Sequence, residues 1–150
     1  MNKDIKYFGI DISALVFDVT DSDGNYYQFK NNESGFKKFI KLLDNSSHCV
    51  MEATSYYHYQ LAYHLLEFGL KVSVENPLSV KRFIQMKLSK VKTDKSDSNL
   101  ICEYAKQVEL KLWQGNSKDE IECLQMVRLL SVYGKQSTML KNKIRFRQPK

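Results

Sequence analysis

Apolar and polar residues alternate along this chain in short, well-punctuated segments. Residues 5–12 contain the run Tyr7-Phe8-Gly9-Ile10-Asp11-Ile12 and read as a strand, and Leu15-Val16-Phe17-Asp18-Val19 reads as a second. Asp21-Ser22-Asp23-Gly24-Asn25 between them and Tyr26-Tyr27-Gln28-Phe29 is a hairpin signal, so the third segment completes an antiparallel meander. Phe36, Phe39, Ile40 and Leu43 are spaced like one face of a helix that Asp44-Asn45-Ser46-Ser47 ends. His48 to Met51 is a short, buried fourth strand. Tyr59, Tyr63, Leu66 and Leu70 recur at helical spacing over residues 56–68, closed by Gly69.

Leu70-Lys71-Val72-Ser73-Val74 alternates as a fifth strand, and Asn76-Pro77 opens another helix, since proline suits a first turn. Residues 88–93 read as a loop, after which Asp94 or Ser96 caps a helix reaching about Gln107, with Leu100, Ile101, Tyr104 and Val108 on its face. Gly115-Asn116-Ser117 breaks the chain. Ser117-Lys118-Asp119-Glu120 is a capping box opening a long helix with Ile121, Leu124, Val127, Leu130, Leu140 and Ile144 as apolar positions, interrupted at Gly134. Three antiparallel strands, then helix, strand, helix, strand, helix, predict a mixed α/β fold of the ribonuclease H-like kind. In that layout a first acid lies on the first strand, a second ends the fourth, and the last sit on a C-terminal helix packed nearby.

Composition narrows the picture. A chain of 150 residues with 43% hydrophobic content is long enough for one domain with a real core. No apolar run approaches the ~20 residues that span a membrane, so no membrane partner is expected. The three cysteines, Cys49, Cys102 and Cys123, are far apart and odd in number, which fits a reducing cytoplasm rather than a disulfide or zinc framework. The net charge of +6 is unevenly spread: residues 1–80 carry 7 Lys/Arg against 10 Asp/Glu, and residues 81–150 carry 16 against 7, a net of +9. Such a basic half is the electrostatic footprint of a polyanion-binding protein. Lys87, Lys90, Lys92 and Lys95 are candidate phosphate contacts, with a solvated loop as the plain alternative.

Four acids change the picture most. Asp11 sits inside an apolar strand, Glu52 ends another in Cys49-Val50-Met51-Glu52, and Asp94 and Asp97 stand three apart in Lys92-Thr93-Asp94-Lys95-Ser96-Asp97. A carboxylate within a strand core is costly unless compensated. Three-residue spacing at a helix start puts two acids on one face, about a turn apart. Four converging carboxylates suit divalent metal, Mg²⁺ or Mn²⁺, acting on phosphate esters. Taken singly, Asp94 and Asp97 serve equally well as helix caps, Asp11 as the partner of a buried lysine, and Glu52 as a solvated strand-end acid.

Phe8-Gly9-Ile10-Asp11-Ile12-Ser13, Met51-Glu52-Ala53-Thr54-Ser55-Tyr56-Tyr57 and Val91-Lys92-Thr93-Asp94-Lys95-Ser96-Asp97 resemble the DEDD transposases of bacterial insertion sequences, the Piv/MooV-like recombinases guided by a bridge RNA. Leu100-Ile101-Cys102-Glu103-Tyr104-Ala105 and Lys111-Leu112-Trp113 also look like this family, and the resemblance runs over about the first 115 residues. It implies a RuvC-like catalytic domain over residues 1–115, with Asp11, Glu52, Asp94 and Asp97 as catalytic metal ligands. It implies DNA and a guide (bridge) RNA as partners. Residues 116–150 then look like the start of the family's coiled-coil linker, a route to a homo-oligomer. The family has a second, C-terminal domain with a nucleophilic serine. The sequence stops at Lys150 without one, and neither Ser13 nor Ser96 takes that role, so the expectation is a fragment that binds metal and nucleic acid without recombining.

Other readings compete. Four acids suffice for a stand-alone RuvC-like nuclease that uses metal-activated water. A truncated, inactive nucleic-acid-binding remnant is another reading, and a non-catalytic RNA-binding or dimerising module would rest on the basic helix 117–148. A sugar-kinase or actin-like ATP-binding fold matches Gly9-Ile10-Asp11 and Asp21-Ser22-Asp23-Gly24 loosely, but lacks a second glycine-rich phosphate loop. His48, His58 and His64 have no metal-ligand spacing with the acids and read as structural or surface residues. The aromatic cluster Tyr56, Tyr57, Tyr59 and Tyr63 reads as core packing, with base stacking as the alternative. Trp113 reads as a packing anchor between the last two helices.

Overall fold

A computed structural model describes residues 4–54, 56–88, 96–115 and 118–146. Five strands form one mixed sheet: β1 (Lys6–Ile12), β2 (Val16–Asp21), β3 (Tyr26–Lys30), β4 (Ser47–Glu52) and β5 (Lys71–Glu75), in the order β3-β2-β1-β4-β5. The meander β1-β2-β3 is antiparallel, whereas β4 and β5 add in parallel, which requires helical crossovers. Those are α1 (Glu33–Ile40) and α2 (His58–Glu67), followed by α3 (Pro77–Leu88), α4 (Asp97–Gln107) and α5 (Lys118–Phe146). This is the ribonuclease H-like α/β layout expected from the element order.

Strand alternation divides the core between two faces. Phe8, Ile10 and Ile12 of β1, with Phe17, Val19, Cys49 and Met51, pack against Phe36 and Phe39 of α1 and Leu61, Ala62 and Leu65 of α2. Fully burying each large side chain stabilises by about 1.5–3 kcal/mol, and the Phe17–Phe39 and Phe8–Phe39 edge contacts add to that. The opposite face is smaller: Val50 packs with Val80 of α3 and with Ile101, Tyr104 and Ala105 of α4. The hairpin Asp21–Asn25 closes on the Asp21 carboxylate, which accepts from Asp23 N, Asn25 N and Asn25 Nδ2 and pairs with Lys6 at 3.1 Å. These turn donors are satisfied internally, and Asp21 lies opposite Phe8, at the other end of β1 from Asp11. The turn therefore does not form a phosphate loop beside Gly9-Ile10-Asp11.

Two sequence expectations are corrected. The buried face of α2 is His58, Leu61, Ala62 and Leu65 rather than the Tyr59/Tyr63 stripe. Those two tyrosines instead meet Trp113, whose ring lies edge-on to Tyr63 at 5.0 Å. Trp113 thus anchors against α2, and its backbone N–H donates to Val72 O of β5 at 2.8 Å. Gly134 does not interrupt α5, which runs through all 29 residues. A helix carries an internal glycine at a cost of about 1 kcal/mol relative to alanine.

The chain divides into two compact units, Met1–Gly115 and Asn116–Lys150. The second is α5, roughly 43 Å long. It leaves Val127, Leu130 and Ile144 more than 60% exposed, and Leu124 and Leu140 exposed as well. Among the described residues no helix is long and apolar enough to cross a membrane, and all three cysteines are free thiols.

Candidate metal and nucleic-acid site

Asp11 occupies the penultimate position of β1, opposite Asp18 of β2. The β1–β4 ladder pairs Ile10 with Met51, so Asp11 and Glu52 follow one step further on adjacent parallel strands. Glu52 lies opposite Glu75 of β5. Four acids, Asp18, Asp11, Glu52 and Glu75, therefore form a row across the sheet. By two-residue alternation they share a face with Gly9 and Val50, the face on which α4 lies.

The N-terminus of α4 is brought close by Gly9. A β-carbon there would stand 2.3 Å from both Ser98 O and Cys102 N, so the α4 backbone rests directly on β1 in space that no side chain can share. Ser96 caps the helix, its Oγ accepting from Asn99 N at 3.4 Å, and Asp97 is the first helical residue, exposed, in the turn where an acid suits the helix dipole.

The charges of these groups interact. Burial raises the Asp11 carboxyl above the ordinary aspartate range, and the Asp97 and Asp18 carboxylates push it further, while the Ile12 backbone N–H opposes. Burial likewise raises Glu52; the Thr54 hydroxyl opposes, at 3.4 Å, and Asp11 and Asp97 add repulsion. Among the described residues no lysine or arginine forms an ion pair with Asp11, Glu52 or Asp97. Asp18 accepts from the Tyr26 hydroxyl and, at 2.9 Å, from Gln28 Nε2. Glu75 Oε2 accepts from the Tyr104 hydroxyl at 3.0 Å, and burial followed by that bond pushes the phenol up to about 12.

The donor set is hard carboxylate oxygen, partly desolvated and mutually repelling, which fits a divalent cation chemically. As the side chains stand, no three His, Cys, Asp or Glu among the described residues close into a metal-binding group. The structure brings Asp11, Glu52 and Asp97 to one end of the sheet. Asp94, Lys90, Lys92 and Lys95 lie outside the described residues. Lys87 is exposed on the last turn of α3, with its Nζ 5.9 Å over the Phe83 ring. The His48 ring sits buried and bonded to Ser73 Oγ at 2.8 Å, remote in role from the acids. Tyr57 packs against the main core, and the half-exposed Tyr56 ring lies tilted against Tyr57 at 4.8 Å.

Sequence reading missed Asp18 and Glu75. Each sits in an alternating strand, and the register, once known, places it beside Asp11 or Glu52. It also missed the role of Gly9, which a strand-interior glycine next to an acid signals as a close backbone approach.

Residues 8–146 match the DEDD transposase family of the IS110 type, described as "Transposase". The match extends through α5, further than the 115 residues the motifs alone suggested. The chain is also 32% identical over 131 residues to a pilin gene-inverting protein of Moraxella bovis, and equally so to one of Moraxella lacunata. Each alignment covers 81% of this chain and 41% of the relative, so the chain spans about two-fifths of the length of the curated relatives it matches.

Proposed function

The chain belongs to the DEDD transposase family, and on that premise we propose that residues 1–115 are the carboxylate half of a DNA recombinase active site. Asp11, Glu52, Asp94 and Asp97 hold Mg²⁺ or Mn²⁺ and act in DNA strand cleavage and exchange during transposition or inversion. The observation that carries this is the raised Asp11 and Glu52 pair, burdened by Asp97 and without a cationic partner among the described residues. A bound divalent ion supplies Lewis-acid stabilisation of charge on the phosphate oxygens. The protein supplies the rest: β1 and β4 fix two carboxylates at adjacent strand ends, and α4 sets a third over them. The basic half, including Lys87, Lys90, Lys92 and Lys95, positions the phosphate backbone of DNA and of a guide (bridge) RNA. The helix α5 serves as a linker through which copies of the chain associate, ahead of a serine-bearing domain in the complete recombinase.

The test is metal-dependent stability. A ligand that binds only the folded chain stabilises it, by about 2.7 kcal/mol at a hundredfold excess over Kd. Mg²⁺ or Mn²⁺ raises the melting temperature of the parent, and Asp11→Asn abolishes that rise. Equal shifts in parent and variant refute the site.

A further inference from the structure

One buried polar connection joins the sheet to α4. Thr20 of β2 and Ser98 of α4, 78 residues apart in sequence, hydrogen-bond through their side-chain oxygens at 2.8 Å. Both are buried, Thr20 at 2% exposure and Ser98 at 0%. Ser98 Oγ also lies 3.2 Å from Ser96 Oγ, the group that caps α4. Three hydroxyls therefore run from the middle of the sheet to the helix cap, and Asp97 is the residue between the two serines. Gly9 closes the same contact from below, its missing side chain admitting Ser98 O and Cys102 N.

A buried hydroxyl pair gives little net stability, and two apolar side chains of similar shape would fill the space as well. What it gives that apolar contact does not is a fixed register. Hydrogen bonds hold at 2.8 Å and a defined angle, whereas a greasy contact tolerates sliding. A half-ångström slip of α4 along β1 and β2 would move Asp97 relative to Asp11 and Glu52.

We infer that Thr20, through Ser98 and Ser96, is a positioning residue that sets the Asp97 carboxylate against Asp11 and Glu52. The inference rests on the proposed metal role of those acids. Outer-shell groups that orient ligands cost about 10–100-fold in metal affinity when removed. Thr20→Val keeps shape and β-branching and removes only the hydroxyl.

The experiment titrates Mn²⁺ into the full chain and follows free Mn²⁺ by electron paramagnetic resonance. Metal-free stability is measured in parallel by urea unfolding. Thr20→Val weakens Mn²⁺ binding about tenfold, and Thr20→Ser restores it. In an Asp97→Asn background, Thr20→Val produces no further loss, because Thr20 acts through Asp97. A Thr20→Val variant that loses stability but binds Mn²⁺ like the parent overturns the positioning role while leaving the site intact. So does an additive loss in the double variant. If the parent binds no Mn²⁺, or Asp11→Asn binds it unchanged, the site reading fails and this inference fails with it.

Discussion

Replacing Gly9 by alanine probes the joint on which the site depends. The added β-carbon would stand 2.3 Å from Ser98 O and from Cys102 N, and 2.8 Å from Cys102 Cα, where ordinary contact begins near 3.4 Å. All three obstacles are backbone, so no rotamer change relieves them, and α4 must move off β1 by roughly 1 Å. Overpacking costs about 1–3 kcal/mol, and a rigid backbone obstacle belongs at the upper end. In a unit of this size that lowers the melting temperature by roughly 10 °C. The displaced element carries Asp97 at its first residue and holds Ser98 against Thr20, so the variant also loses most of the Mg²⁺-induced stabilisation. Differential scanning calorimetry with and without Mg²⁺ separates the two effects. Gly9→Ala melting within ~2 °C of the parent with an undiminished Mg²⁺ response refutes the reasoning.

Three further outcomes follow from the charges and from α5. Asp11 and Glu52 bind protons more tightly folded than unfolded, so metal-free stability falls as pH rises from the ordinary carboxylate range through their raised folded-state values. Asp11→Asn removes part of that loss, so its stability gain over the parent grows as pH rises above the ordinary carboxylate range in urea unfolding, and a pH-independent difference contradicts it. Binding of double-stranded DNA weakens steeply with salt and falls further when Lys87, Lys90 and Lys92 are changed to Glu, because each neutralised phosphate releases counterions; salt-independent binding in fluorescence anisotropy contradicts this. The exposed apolar positions of α5 support self-association, so Leu130→Asp with Leu140→Asp converts a dimer to a monomer in light scattering, and a parent that is monomeric at high concentration rules it out.

Element order was legible because each strand and helix carries its own punctuation. Asn32 caps α1 by accepting from Gly35 N, Ser96 caps α4, and the Asp21–Asn25 turn closes on its own carboxylate. The acids Asp11 and Glu52 were legible because a charge inside an apolar run is anomalous by itself. What could not be read were relations between elements. Asp18 looks like any outward polar residue of an alternating strand until the β1–β2 register sets it opposite Asp11. The α2 face was misjudged because tyrosine spacing outweighed the smaller Leu61-Ala62-Leu65 set, and the tyrosines find their partner in Trp113, some fifty residues later. Thr20 and Ser98 are unremarkable in sequence, since hydroxyls carry no periodic signal.

The acid row and the basic half pose opposite demands on a nucleic acid. Asp18, Asp11, Glu52 and Glu75 side by side repel a phosphate backbone unless a cation stands between. On the proposed reading, long-range attraction would then come from elsewhere, and the +9 carried by residues 81–150 could supply it. The two charge populations therefore do separate jobs. On the proposed reading, the lysines would set how tightly DNA is held, and the carboxylates with a bound ion would set what happens to the strand once held. Asp11→Asn removes one negative charge from the row, so it should hold DNA at least as well as the parent while losing its metal response. An Asp11→Asn variant that loses DNA affinity and metal response together, with its melting temperature intact, would mean that the ion itself bridges protein and phosphate. The basic half would then be secondary to it.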